Sequence, residues 1–322
     1  MDRHDLADAA VSPGRGHCAP SRRIRRMTMT QEKVGFVGLG LMGHGMAKNI
    51  VEKGHPLTVV AHRRREAVED LVARGAVEAA SLEDLARNST VILMCLTGSP
   101  EVAEAVAAMK PGLAKGAVVV DCSTSDPTVT LRLAAELAEI GVDLIDAPLS
   151  RTPKEAWAGT LDCMVGASAA GFAQVQPIIA TWAAKIVHIG GVGDGHKMKL
   201  LNNFLSLGYA ALYSEALALS RKVGIPVADF DQVIRGGRMD CGFYQTFMDY
   251  ALTGNRDAHK FTLGNAYKDM RYVESMANGS AVATPMASAV KNAFALAMAT
   301  GGDGPEDFVP HLPDYIAKAN GL

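Results

Sequence analysis

Lys199, Asn203 and Ser206 stand at i, i+4 and i+7, with Asn202 at i+3, inside a stretch rich in leucine and alanine. On a helix these residues share one face. A polar stripe in such a helix calls for a purpose, because burying unpaired polar groups is costly. Lys199 follows Gly195 near the expected helix start, where burial and the positive helix end both lower a lysine pKa. A lysine tuned in this way gives a proton to an alkoxide and takes it back in the reverse direction. Lys197, by contrast, reads as a surface lysine.

A second pattern, Gly38-Leu39-Gly40-Leu41-Met42-Gly43, is GxGxxG between a β-rich run and a helix-spaced stretch. Gly38 permits a tight turn and Gly40 lets the backbone approach a pyrophosphate. Gly43 lets helix and strand pack closely, and the helix N-terminus favours the anion. About 20 residues on, such sites place an acid that accepts from a ribose 2′-hydroxyl. Here the chain carries Ala61-His62-Arg63-Arg64-Arg65 instead. Arginine suits a 2′-phosphate bidentately. The expected cofactor is therefore NADP, with NAD as the alternative. His62, Arg63 and Arg64 are the candidate phosphate contacts.

These residues need elements to hold them. Strand-like runs at Val34–Val37, Leu57–Ala61, Val91–Leu96, Ala117–Asp121 and Val142–Ala147 alternate with helical spacing at Met42–Lys53 and Arg65–Arg74 and from Glu101 and Pro127. This βαβ repetition predicts a doubly wound parallel sheet of Rossmann type, in the α/β class. Leu161–Val165 and Ala184–His188 are expected to extend it as an edge. After about Gly195 strand patterns stop. A long helix over Lys197–Val223 is predicted to join the sheet to an all-α region with helices over Ala228–Arg235, Phe243–Leu252, Leu263–Ala277, Pro285–Met298 and Asp314–Ala319. The expected division is a tail over 1–30, an NADP-binding domain over 31–192, and a helical substrate and oligomerisation domain over 193–322.

Composition excludes other classes. Apolar residues make up 48% of the 322 and charged residues 20%, enough to bury a full core and inconsistent with wholesale disorder. A formal net charge of −2 argues against bulk affinity for nucleic acid or an anionic membrane. No apolar run is long enough to span a bilayer. Cys18, Cys95, Cys122, Cys163 and Cys241 form no CxxC or zinc-like spacing and read as small hydrophobes of a reducing, cytoplasmic compartment. Residues 1–30 combine early aspartates with Arg22, Arg23, Arg25 and Arg26 and no apolar run. They read as a disordered tail or as sequence upstream of a start at Met27 or Met29, not as a secretory signal.

From about Val34 to Met298 the chain resembles the β-hydroxyacid dehydrogenase family, which includes 3-hydroxyisobutyrate dehydrogenase, tartronate semialdehyde reductase and sulfolactaldehyde reductase. The resemblance rests on the glycine signature continued by Met46-Ala47-Lys48-Asn49, on Asp121-Cys122-Ser123-Thr124, and on Asp146-Ala147-Pro148-Leu149-Ser150. It also rests on the Gly195 to Asn203 stretch and on Phe261 with Lys268-Asp269. It implies reversible, metal-free hydride transfer between a primary alcohol and an aldehyde beside an acid group, in a homodimer or homotetramer. It assigns the proton transfer to Lys199 and orientation of the reacting oxygen or the lysine to Asn203. Ser123 and Ser150 would contact substrate, and Leu96, Thr97, Thr124, Phe261 and Lys268 would line the cofactor.

One departure bears on the substrate. Most of the family follows the serine at position 150 with two glycines, whereas this chain has Arg151-Thr152. An arginine adds a fork of donors for an anion. The Arg-Thr pair is similar to sulfolactaldehyde reductases, in which Arg151, Thr152, Asn202 and Ser206 would hold a sulfonate. A small carboxylate semialdehyde held by the same arginine is the plainer alternative. An imine reductase and a non-catalytic dinucleotide-binding module share the scaffold, and Lys199 speaks against both.

Overall fold

The computed structural model describes residues 31–62, 65–300 and 303–322; the expectation for residues 1–30 lies outside them. β1 (Val34–Val37) is buried throughout and leads through the glycine turn into α1 (Gly43–Glu52). There follow β2 (Leu57–Val60), α2 (Glu66–Ala73), β3 (Val77–Ala79), α3 (Leu82–Arg87) and β4 (Val91–Met94). The first sheet region ends with α4 (Ser99–Met109), β5 (Val118–Asp121), α5 (Pro127–Ala138) and β6 (Asp143–Asp146). The strands lie in the order β3-β2-β1-β4-β5-β6, all parallel. This is the doubly wound arrangement the sequence predicts. Its order reverses between β1 and β4, which opens a crevice at the carboxyl ends of the strands.

Both sheet faces are covered, which explains the continuous apolar runs. Phe36, Leu93 and Val120 pack on one side with Met46 and Ile50 of α1. Val37, Ile92, Met94 and Val119 pack on the other with Val102 and Leu133. β3 and α3 were not among the predicted elements. Val77 and Glu78 are exposed, so β3 has no apolar run to betray it. α3 is set by its cap, the Ser81 hydroxyl accepting from Asp84 N at 3.0 Å.

The expected edge is present. β7 (Leu149–Ser150), α6 (Pro153–Ala158), β8 (Leu161–Gly166), α7 (Ala169–Ile179) and β9 (Ala183–Gly190) follow in order. β8 runs antiparallel to β6 and β7, and β9 runs parallel to β8.

The remainder is helical: α8 (Asp194–Lys222), α9 (Val227–Ile234), α10 (Gly242–Thr253), α11 (Leu263–Gly279), α12 (Pro285–Ala299) and α13 (Leu312–Ala319). Leu200, Leu207, Tyr244, Phe247, Phe294 and Leu312 form its core. α8 begins at Asp194 rather than Lys197 because polar contacts, which carry no apolar periodicity, fix its start. Gly193 turns the chain at φ +92°, and the Asp146 carboxylate at the end of β6 accepts from Gly193 N at 2.6 Å and His196 N at 2.7 Å. Among the described cysteines, Cys122 and Cys163 are buried in the sheet region, Cys95 is half-buried, and Cys241 is exposed. Among the described residues no helix is long and apolar enough to cross a membrane.

Candidate active site

α8 carries Lys199 one turn inside its start, facing α11. Part of the residue is solvent-accessible, yet its amine is strongly desolvated. Burial pushes the Lys199 pKa down to about 8; the nearby Asp269 carboxylate opposes the shift and Lys268 adds to it. Asn203, one turn further on, is 5% exposed and donates from Nδ2 to Asp269 Oδ2 at 2.7 Å. The other carboxylate oxygen of Asp269 lies 3.0 Å from Lys268 Nζ. Asp269 therefore fixes the Asn203 amide and sets part of the field at Lys199. His259, on the loop before α11, is also pushed below its ordinary pKa by burial, with a further push from Lys199.

α11 reaches from the helical region to the carboxyl ends of the strands. Lys268 Nζ donates to Thr97 O at 2.6 Å and Thr124 O at 3.0 Å, tying together the loops after β4 and β5. Tyr272, one turn on, holds Ser99 N through its hydroxyl at 3.2 Å and lies under Lys268 with Nζ 5.2 Å from the ring centre. Ser123, buried at 3% exposure, accepts from Leu96 N at 2.9 Å. Its own amide donates to Asp121 Oδ1 at 2.9 Å. Hydrogen bonds and one ion pair thus join Leu96 to Ser123, and Thr97, Thr124, Lys268, Asp269 and Asn203 to one another, with Lys199 in the field of Asp269 and Lys268. Phe261 packs half-buried against the helical core below it.

A second buried network, unrecognised in the sequence, sits behind Ser123. His196 is fully buried and lies between Thr130 Oγ1 (2.8 Å from Nδ1) and Ser123 O (3.1 Å from Nε2). Asp121, whose second oxygen accepts from Ser125 Oγ at 2.8 Å, is 3.7 Å from the same imidazole. The network binds the start of α8 to the ends of β5 and β6, so the lysine and the serine loop share one rigid support. The Asp121 and Asp146 motifs contained the signal, but only folding reveals their common partner.

The glycine turn fits a dinucleotide. At Gly38, φ is +95°, and a side chain there would collide with the Cys95 carbonyl. A side chain at Gly43 would strike the Gly38 carbonyl, whereas a Cβ at Gly40 would meet nothing within 4 Å. The turn is therefore tight below and open above. Leu41 is exposed, Leu39 and Met42 are half-buried, and the N-terminus of α1 carries no side-chain cap. Its free amides suit a pyrophosphate. At the end of β2, His62 is exposed; Arg63 and Arg64 lie outside the described residues. Arg65 is already engaged, with Nη1 and Nη2 donating to Glu78 at 3.1 and 3.0 Å.

The residues expected at the substrate head form a separate group. Ser150 is half-buried on β7, and Arg151 adopts φ +90°, with Nε 3.1 Å from Asp162 Oδ2 on β8. Thr152 begins α6, its amide and hydroxyl both donating to Glu155 Oε2. α6 is clamped to α1 by Asn49, whose Nδ2 donates to Ala156 O at 3.0 Å and Trp157 O at 3.2 Å. Asn202 is exposed on α8, and Ser206 back-bonds to Asn203 O at 3.2 Å. Among the described residues no hydrogen bond or ion pair links Arg151 or Thr152 to the Lys199 group.

Comparison with known proteins bears on both halves. Residues 33–190 match the family model described as the NAD binding domain of 6-phosphogluconate dehydrogenase. Residues 193–312 match that described as NAD-binding of NADP-dependent 3-hydroxyisobutyrate dehydrogenase. The chain is 30% identical to the 3-sulfolactaldehyde reductase of Escherichia coli (strain K12) over 271 residues, covering 83% of this chain and 91% of that one. It is 32% identical to the 3-hydroxyisobutyrate dehydrogenase of Pseudomonas aeruginosa over 272 residues, covering 82% and 91%. Among solved structures, the Mycobacterium tuberculosis 3-hydroxyisobutyrate dehydrogenase with L-serine superposes with a TM-score of 0.79 at 23% identity, covering 89% and 99%.

Proposed function

The chain belongs to the β-hydroxyacid dehydrogenase family, and from that premise we propose how its residues divide the reaction among themselves. The protein is an NAD(P)-dependent oxidoreductase acting on a small hydroxy acid or its aldehyde. When bound, the nicotinamide supplies or accepts the hydride. Gly38, Gly40 and Gly43 with the free amides of α1 hold the pyrophosphate, and Leu39, Leu41, Met42, Leu96, Thr97, Thr124, Phe261 and Lys268 line the rest of that cleft. His62, Arg63 and Arg64 favour NADP over NAD.

The observation that carries the proposal is the Lys199 amine, brought to about 8 by burial beside the Asn203–Asp269 pair. Near neutral pH such an amine exists in both forms. Its ammonium protonates the alkoxide during reduction, and its neutral form accepts the alcohol proton during oxidation. Asn203, locked by Asp269 through one N–H, has its second N–H to offer the reacting oxygen and its carbonyl oxygen to accept from the lysine. Ser123 and Ser150 position the substrate. Arg151, Thr152, Asn202 and Ser206 take the anionic head, a carboxylate in the first reading and a sulfonate in the second, which the Arg151-Thr152 sequence favours.

The chain acts as a homodimer or homotetramer. Met198, Leu201, Leu205, Tyr209, Leu212 and Leu219 form an exposed stripe along α8, with Leu205 61% and Leu219 63% accessible. Their spacing follows a helix face, and a contiguous apolar face of this kind on a long helix suits a second copy of the chain. The domain division at residue 192 falls just before α8, with the glycine turn and most cofactor contacts before it and the proton-transfer residues, together with Phe261 and Lys268, after it.

A panel of sulfolactaldehyde, tartronate semialdehyde, succinate semialdehyde and methylmalonate semialdehyde, run with NADPH and NADH, tests the proposal. Turnover of at least one aldehyde, faster with NADPH, is expected. Activity on cyclic imines with none on the aldehydes contradicts it.

A further inference from the structure

The pairing across β7 and β8 bears on which anions the substrate head can be. Ser150 pairs with Asp162 in the antiparallel register, so Arg151 emerges beside that aspartate. Nε of Arg151 is 3.1 Å from Asp162 Oδ2. The guanidinium is half-exposed, at 51% for the side chain, its closest approach to Asp162 is through Nε, and its Nη atoms donate no hydrogen bond among the described residues. Asp162 therefore grips the arginine from the side and leaves the fork of donors outward.

Two local costs accompany this arrangement. Arg151 holds φ at +90°, a region that non-glycine residues rarely adopt and that costs about 1–3 kcal/mol. Asp162 Oδ1 is buried and has no hydrogen-bond partner among the described residues, and a buried polar atom in that condition calls for an explanation. A glycine at position 151 would relieve the first cost, and an apolar residue at position 162 the second. Strain and an orphaned oxygen meeting at one cross-strand pair point to a geometry retained for use rather than for stability.

The charge balance shows that use. Asp162 faces Arg151 from β8, and Glu155 faces it from α6, where the Arg151 charge helps hold the Glu155 carboxyl below its usual range. Across the site Lys268 is likewise paired, with Asp269. Each of these two cations is matched by an acid.

We infer that Asp162 is a specificity-determining residue: it orients Arg151 while neutralising it, so that the site takes a monoanionic head such as a carboxylate or sulfonate and rejects a dianionic one such as a phosphate monoester. The inference rests on the reading of Arg151 as the head-binding residue. The mechanism is a hydrogen-bonding fork with little net charge. It donates to the oxygens of a singly charged group but does not offset a second charge.

The test reads binding separately from turnover. Equilibrium titrations of the full-length protein with methanesulfonate and with methyl phosphate are compared for wild type and Asp162→Asn. Asparagine keeps an acceptor toward Nε and removes the charge. At a partly solvated site, removing one charge about 6 Å from the head changes affinity by about tenfold per unit of head charge. The methyl phosphate to methanesulfonate affinity ratio should therefore rise about tenfold in Asp162→Asn, fall about tenfold in Arg151→Gln, and return to the wild-type value when the two are combined. An unchanged ratio in Asp162→Asn, or a ratio that Arg151→Gln alone leaves unmoved, overturns the proposal. If Asp162→Asn fails to fold, Asp162→Thr removes the same charge with a strand-favouring residue and carries the same expectation. A protein that reduces no aldehyde but shows the ratio change contradicts the proposed reaction and leaves the role of Asp162 intact.

Discussion

Replacing Asp269 with asparagine perturbs the proposed acid–base group without touching it. Asp269 is 1% exposed, accepts from Asn203 at 2.7 Å, and raises the Lys199 pKa against the larger effect of burial. The charge favours the ammonium form, so its removal favours the neutral amine and moves the Lys199 midpoint down. An opposite charge nearby shifts a pKa by about 1–3 units. Because Lys268 already draws on the same carboxylate at 3.0 Å, about one unit, or about 1.4 kcal/mol, is the appropriate magnitude. The midpoint then falls from about 8 by that unit to about 7. Reduction needs the ammonium, whose fraction at pH 8 drops from about one half to about one tenth, so kcat/KM for aldehyde reduction falls about fivefold there and little at pH 6. Oxidation, which needs the neutral amine, keeps or gains rate at pH 8. Asparagine can still accept from Asn203, so orientation is preserved. The assay is kcat/KM against pH in both directions. A midpoint that stays in place or moves up refutes the electrostatic coupling, and an equal loss at every pH assigns Asp269 a purely structural role.

Three further outcomes follow from other parts of the molecule. Asp146→Ala leaves the buried Gly193 and His196 amides without their acceptor and should lower stability by about 3 kcal/mol, read by urea denaturation; a loss below about 0.5 kcal/mol contradicts the role of Asp146 at the start of α8. Leu205→Asp places a charge on the exposed stripe of α8 and should shift sedimentation velocity toward the monomer, whereas an unchanged assembly assigns the stripe another purpose. Arg63→Ala should reduce kcat/KM with NADPH at least about tenfold more than with NADH, the scale of one lost charge-assisted pair; equal losses remove the 2′-phosphate assignment.

What the sequence disclosed depended on the range of the interactions involved. The parallel sheet was legible because its strands are buried on both faces and read as apolar runs. Lys199 and Asn203 were legible because helix spacing places them on one face, and the glycine turn because its steric demands are local. β3 escaped because two of its residues are exposed. His196, Asp121 and Asp146 escaped as a network because their contacts join residues far apart in sequence, such as Thr130 and His196. Asp269 lay inside a recognised motif, but its hold on Asn203 across α8 and α11 appears only in the fold. The basic run after β2 looked uniform in sequence, yet Arg65 is committed to Glu78 on the neighbouring strand. The Arg151–Asp162 pair depends on the register of β7 with β8, which no local pattern specifies.

The central claim is that the buried Lys199 amine transfers the proton. Lys199→Ala, assayed for aldehyde reduction alongside NADPH affinity by fluorescence titration, tests it most directly. The account predicts a loss in kcat/KM of about 10²–10⁴-fold, the usual contribution of a positioned acid–base group, with NADPH affinity largely intact. Turnover that survives within about tenfold, below that range, with the cofactor still bound, contradicts it.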